Sequence, residues 1–116
     1  MHGGFDDGTS WFRNIDISYS VANYGAYESD LPLPLKLLEM GYDVWVGNMR
    51  GTQYSRGHTT LDSSNPQSAY WDFNFAQKGM LDVPATIEKI KEVSGVEKVA
   101  YAGYSTGSTI MFYALS

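Results

Sequence analysis

The chain contains no cysteine. That excludes a disulfide framework and any thiolate metal site, and it leaves the cellular compartment open. Basic residues are also scarce: 8 Lys and Arg stand against 13 Asp and Glu, a formal net charge of −5. A chain of this balance has no basic patch to meet phosphates, so nucleic acid is not an expected partner. No apolar run approaches the ~20 residues that cross a bilayer as a helix. The opening stretch MHGGFDDGTS has neither the basic region nor the apolar core of a signal peptide. Histidine occurs only at His2 and His58, and no His/Asp/Glu grouping has metal-ligand spacing. Internal repeats and low-complexity tracts are absent.

Hydrophobic residues make up 43% of the 116 positions, so the composition is globular. The length is that of about one small domain. Aromatic residues reach 15%, which suits either a buried core or an apolar cleft.

Residues 1–10 read as a Gly- and Asp-rich loop, and 11–30 as irregular. LPLPLKLLEMG reads as a helix, with Pro32 and Pro34 in the first turn, where a missing N–H costs nothing, and Gly41 at the stop. YDVWVGN reads as a short buried strand and residues 49–68 as a long polar loop of the kind that carries function. AYWDFNFAQKGM begins a helical region. LDVPATIEKIKEVSG is the clearest helix, with Met80, Val83, Ile87 and Ile90 on one face, Asp82 as cap, Pro84 in the first turn and Gly95 at the end. VEKVAYAG reads as a second strand and STGSTIMFYALS as a last helix. This alternation predicts an α/β fold, a parallel sheet covered by helices.

The junction of that strand and helix reads Gly103-Tyr104-Ser105-Thr106-Gly107. A G-x-S-x-G match alone is weak, but a strand–turn–helix setting is what a nucleophile elbow requires. In such a turn the serine backbone is strained so that Oγ points outward. Strand and helix then approach too closely for side chains at Gly103 and Gly107. The helix N-terminus sets free N–H groups beside a developing oxyanion. The alternatives are that Ser105 merely caps the helix, or that the turn cradles a phosphate. Against phosphate, the Walker lysine is missing and G-x-G-x-x-G is not matched. Upstream, His2-Gly3-Gly4-Phe5 fits the HG-type loop that supplies the second oxyanion donor, so Gly4 and Thr106 are the expected donor pair. A flexible leader is the plainer reading of those residues.

Three longer stretches carry a family resemblance. GYDVWVGNMRGTQYSRGH is similar to the G-Y-D-V-W-x-G-N-x-R-G-x-x-x-S-R-x-H block of the acid lipases, the α/β-hydrolases that include gastric and lysosomal lipases and sterol ester hydrolases. YWDFNFAQKGMLDVPATIEKI resembles their F-W-x-F-S-x-x-E-x-x-x-Y-D-L-P-A-x-I helix, and HGGFDDGTSWFRN resembles their H-G-L loop with its W-x-x-N tail. The likeness runs nearly end to end. It implies a partial α/β-hydrolase domain over 1–116 with no second domain, and a lipid ester substrate such as a triacylglycerol or sterol ester. It also implies contact with a lipid surface, no cofactor, and a secreted, lysosomal or lipid-associated setting. The family elbow is usually G-H-S-Q-G, so Tyr104 stands for His and Thr106 for Gln, while Gly4 stands where Leu is frequent. The backbone donors survive these changes, and the acyl pocket loses an apolar side chain at Gly4.

A serine hydroxyl needs a base to take its proton, and in this fold the acid and the His follow the nucleophile in the chain. Nothing after Ser105 is acidic or His. His2 and His58 are read as loop-ordering, Arg50 and Arg56 as loop-holding, and Asp43, Asp72 and Asp82 as structural. The strand that would precede His2 is expected between the other two. The chain therefore reads as an internal segment of a larger hydrolase or a truncated gene model, inactive alone and poorly folded. A catalytically inert interaction module and another hydrolase chemistry, such as a peptidase or thioesterase, are the competing readings.

Overall fold

In the computed structural model, which describes residues 1–13 and 31–116, the chain divides into two units: Met1–Gly8 with Val46–Ser116, and Thr9–Trp45. Most of the stretch expected to be irregular, residues 14–30, lies outside the described residues. A short 3-10 helix covers Gly8–Phe12.

In the second unit, helix α1 runs Leu33–Glu39 with Pro34 in the first turn, as the sequence predicts, and with Pro32 just before that turn, at the N-cap position. It ends in a Schellman arrangement. Gly41 N–H donates to Leu38 O at 2.9 Å, Tyr42 N–H donates to Leu37 O at 3.1 Å, and Gly41 adopts φ +87°. Only glycine takes that left-handed conformation without strain.

In the first unit, a 3-10 turn over Ala69–Trp71 leads to one long helical stretch: α2 (Phe75–Gln77), a π turn (Lys78–Asp82) and α3 (Val83–Ser94). The stretch starts at a reciprocal capping box. Gln77 N–H donates to Asn74 Oδ1 at 3.2 Å, and Asn74 N–H donates to Gln77 Oε1 at 2.8 Å. The expected cap at Asp82 is therefore corrected. Asp82 has helical dihedrals and makes no capping bond, because the helix is already running when it arrives. Pro84 has no N–H to donate, and the widened turn falls just before it. The extra residue in that turn also rotates Met80 off the expected face. Met80 is exposed, whereas Val83 is fully buried and Ile87 packs against it. Gly95, at φ 67°, ends α3.

Helix α4 (Thr106–Leu115) crosses the π turn. The core is small: Met49, Val83 and Ile110, lined by Met1, Ile87, Tyr101, Met111 and Ala114. The crossing depends on Gly79. A Cβ there would lie 2.4 Å from Tyr113 Cβ and 2.5 Å from Ile110 O.

Neither YDVWVGN nor VEKVAYAG forms a strand among the described residues. A strand is defined by its hydrogen-bonded neighbour, and no backbone bond joins these two runs. One point of parallel register is nevertheless present. Met1 N donates to Ala102 O, and Tyr104 N–H donates to Met1 O at 3.4 Å. A residue bonded to j−1 and j+1 of its neighbour is the repeating unit of a parallel ladder, so Met1 lies alongside Gly103.

Gly79 yields a sharp expectation. Gly→Ala inside a helix ordinarily stabilises by roughly 1 kcal/mol. In the complete protein, Gly79→Ala should instead lower stability by ~1–3 kcal/mol through overpacking, measured by denaturant unfolding.

Candidate active site

Ser105 has φ 52° and ψ −123°, and among the described residues it is the only non-glycine with positive φ. A side chain in that region costs of order 1–3 kcal/mol and persists only where its surroundings enforce it. Here they do. A Cβ on Gly103 would lie 2.8 Å from the Gly107 carbonyl carbon and 2.8 Å from the Tyr101 ring, and one on Gly107 would lie 2.3 Å from Met1 O and 2.9 Å from His2 O. The elbow is thus pressed against the segment that enters the HGG loop. Side chains close the gaps. Ser108 Oγ donates to Gly103 O at 2.8 Å, and the Tyr101 hydroxyl donates to Gly107 O at 2.7 Å. Burial of Tyr101 pushes its phenol up to about 12.

Ser105 stands at the N-cap position of α4 but makes no side-chain capping bond. Its carbonyl, not its hydroxyl, accepts from Ser108 N at 3.0 Å and Thr109 N at 3.2 Å. The plain capping reading of this serine is therefore not what the geometry holds. Ser105 is exposed. Among the described residues no hydrogen bond engages its Oγ, and none engages the N–H of Gly4 or of Thr106.

Gly4 and Thr106 are neighbours. A Cβ on Gly4 would meet Thr106 Oγ1 at 2.7 Å. The two departures from the family pattern are thus coupled, because Thr106's β-branch occupies the space where a side chain at position 4 would begin.

His2 is 1% exposed and has both ring nitrogens engaged. Met49 N–H can only donate, so Nε2 accepts from it at 3.2 Å, and Nδ1 carries the proton and donates to Gly3 O at 2.7 Å. Burial lowers its pKa below 6.5. With both nitrogens committed, His2 orders the loop and is not placed to take a proton from serine. The loop has further ties: Gln53 Nε2 donates to Asp7 Oδ2 at 2.7 Å, and Gly8 N–H donates to Asn48 Oδ1 at 2.8 Å. His58 is exposed, with Nδ1 accepting from Thr60 N at 3.1 Å and Leu61 N at 2.9 Å. Arg56 lies over the Trp71 ring at 5.6 Å.

Asp82, displaced from its expected capping role, takes a fork of bonds from Arg50, with Nε at 2.8 Å from Oδ1 and 3.0 Å from Oδ2. The Arg50 N–H adds a bond to Oδ2 at 3.3 Å. This hydrogen-bonded pairing raises the guanidinium pKa. It fastens the polar loop to the π turn. Both residues occupy fixed positions of the resembled blocks, yet their pairing is not visible in either block alone.

A cleft of about 370 Å³ adjoins the HGG loop, lined by Gly4, Phe5, Asp6, Arg50, Trp71 and Phe73 among others. Ser105 does not line it, so the cleft meets the elbow only through the loop. Among the described residues no group of three His, Cys, Asp or Glu could hold a metal ion.

A family model for the alpha/beta hydrolase fold matches residues 1–116. The chain belongs to that family. Within it, the similarity is to acid lipases. The chain is 36% identical over 116 residues to a human lysosomal acid lipase/cholesteryl ester hydrolase, covering 100% of this chain and 25% of that protein. It is 42% identical over 97 residues to Lipase 1 of Drosophila melanogaster, covering 84% and 22% respectively. It is 44% identical over 99 residues to mouse Lipase member K, covering 83% and 24%. The chain thus spans about a quarter of the length of these relatives. The family match agrees with the α/β class that the alternation of elements predicts.

Two expectations follow for the complete hydrolase. His2 is neutral when folded and its pKa is lowered, so the unfolded chain binds the extra proton first as pH falls. The stability it contributes is full above pH 6.5 and is lost as pH drops from there to the folded value. Denaturant midpoints across that window should fall for wild type and stay flatter for His2→Gln. Gly107→Val should lower stability by ~1–3 kcal/mol or more through overpacking, read by thermal unfolding.

Proposed function

We propose that this chain carries the nucleophile and oxyanion-stabilising part of a serine ester hydrolase that acts on lipid esters. The observation that carries the reading is the conjunction at the elbow. Ser105 is exposed and held at positive φ, Thr106 follows it and neighbours Gly4, and no acceptor engages the backbone N–H of Gly4 or Thr106 among the described residues. Unspent donors beside a strained serine suit acyl transfer, in which a carbonyl oxygen gains negative charge as the tetrahedral intermediate forms.

In this reading Ser105 Oγ attacks the ester carbonyl and its proton passes to a histidine. The Gly4 and Thr106 N–H groups hold the oxyanion, and collapse of the intermediate expels the alcohol, which takes the proton. Water then repeats the sequence on the acyl-serine to release the fatty acid. The α4 N-terminus adds its positive dipole end beside the oxyanion. The histidine and its orienting carboxylate are expected elsewhere in the enzyme, since both nitrogens of His2 are spent. Lipid as substrate rests on the likeness to lipases, one of them described as a cholesteryl ester hydrolase. The exposed Phe5 next to Gly4 is an apolar surface suited to an acyl chain.

In the complete lipase, a fluorophosphonate probe should label Ser105, and Ser105→Ala should cut ester turnover by ~10⁴-fold or more. Labelling at another serine overturns the assignment. Residues 1–116 alone should hydrolyse a short-chain ester no faster than their Ser105→Ala variant. A clear excess would restore His58 as a candidate base.

A further inference from the structure

The HGG loop makes its tightest turn around Gly4. Asp6 N–H donates to Gly3 O at 3.3 Å, with Gly4 and Phe5 at the turn's tip. The Gly4 N–H therefore points wherever this turn points. One end of the turn is fixed from below, because Gly3 O also accepts from the buried His2 Nδ1 at 2.7 Å. The other end is held across the site. The Tyr104 hydroxyl donates to Asp6 Oδ2 at 2.8 Å, joining residues 98 apart in the chain. The Tyr104 ring packs against Gly3, where a Cβ would meet Tyr104 Cε2 at 2.9 Å.

Tyr104 is bonded directly to Ser105, and Thr106 follows. The two donors assigned to the oxyanion, Gly4 and Thr106, sit on different segments, and their spacing is not fixed by chain connectivity. The Tyr104–Asp6 bond spans those segments at the site itself. We propose that Tyr104 and Asp6 are a positioning pair that sets the Gly4 N–H against the Thr106 N–H, and that Tyr104 thereby makes the elbow residue before the nucleophile a determinant of oxyanion geometry. The inference rests on the serine hydrolase reading above. Neither residue touches substrate in this role. Both act through the turn that carries Gly4.

The magnitude follows from that indirectness. Losing an oxyanion donor outright costs ~10²–10³-fold in kcat. Loosening a donor that stays present should cost less, ~10-fold, because the turn keeps its Gly3 anchor. The donor acts only as negative charge develops, so the loss belongs in kcat, with KM changed by no more than about two-fold.

The test uses the complete lipase with a short-chain p-nitrophenyl ester, and compares Tyr104→Phe, Asp6→Ala, their double variant, Asp6→Asn and Ser105→Ala, with thermal unfolding of each. Tyr104→Phe and Asp6→Ala should each lower kcat ~10-fold at near-constant KM, and the double variant should fall no further than either single, as for residues acting through one bond. Asp6→Asn should restore most of kcat, because its Oδ1 still accepts from the phenol.

Wild-type kcat in both Tyr104→Phe and Asp6→Ala, with Ser105→Ala inactive, overturns the positioning pair and leaves the nucleophile standing. Multiplicative losses in the double variant overturn it as well, as does an effect confined to KM. Turnover retained in Ser105→Ala overturns the hydrolase reading itself. Where Asp6→Ala does not fold, Tyr104→Phe and Asp6→Asn decide: full kcat in the first, or a kcat in the second no higher than in the first, overturns the proposal.

Discussion

The contact on which the site depends is backbone against backbone: the start of α4 at Gly107 pressed on the carbonyls of Met1 and His2. No side chain fits there, and two features accompany that closeness. It goes with a turn so sharp that Ser105 adopts a positive φ, with the residue exposed. It also brings the segment entering the HGG loop beside the elbow, so that Gly4 and Thr106, a hundred residues apart in sequence, become neighbours. The bonds of Met1 to Ala102 and Tyr104, which set Met1 alongside Gly103, are the same approach seen slightly earlier in the chain.

Around that contact the polar groups are arranged to hold loops in place, not to react. His2 spends both nitrogens on Gly3 and Met49. Asp82 is spent on Arg50, Asp7 accepts from Gln53, and Asp6 accepts from Tyr104. All but the His2–Gly3 bond join segments distant in the chain. An oxyanion site needs its donors fixed before charge develops, since reorganisation at the moment of reaction would consume the gain. Loops tied at several points meet that need better than loops tied at one.

Much of the elbow was legible in the chain. Gly103, Ser105 and Gly107 suit a sharp turn into a helix once the apolar run before them and the helical run after them are read together, and α1, with Pro32, Pro34 and Gly41, shows its own start and stop. Two side-chain placements, Asp82 and Met80, were misread for identifiable reasons. Asp82 before Val83-Pro84 looks like a cap because caps are judged locally, and the Asn74–Gln77 box eight residues earlier had already begun the helix. Met80 keeps helical spacing from Val83, but the π turn moves it off the face, and a turn widened by one residue leaves no mark on a 3.6-residue period. The two apolar runs read as strands have strand composition, but a strand also needs a neighbour, which no single run can specify.

The sequence by itself determined the residue types that chemistry requires and the family to which they belong, because glycines, a flanked serine and long motif blocks are local patterns. Tertiary structure decided everything that depends on distance between distant segments. It paired Arg50 with Asp82 and Tyr104 with Asp6, set Thr106 against Gly4, and gave both nitrogens of the loop-ordering His2 their partners, Gly3 and Met49. Composition and spacing state which groups are present. Only packing states which of them have already been used, and an imidazole with both nitrogens hydrogen-bonded to other partners is not placed to take a proton from a serine.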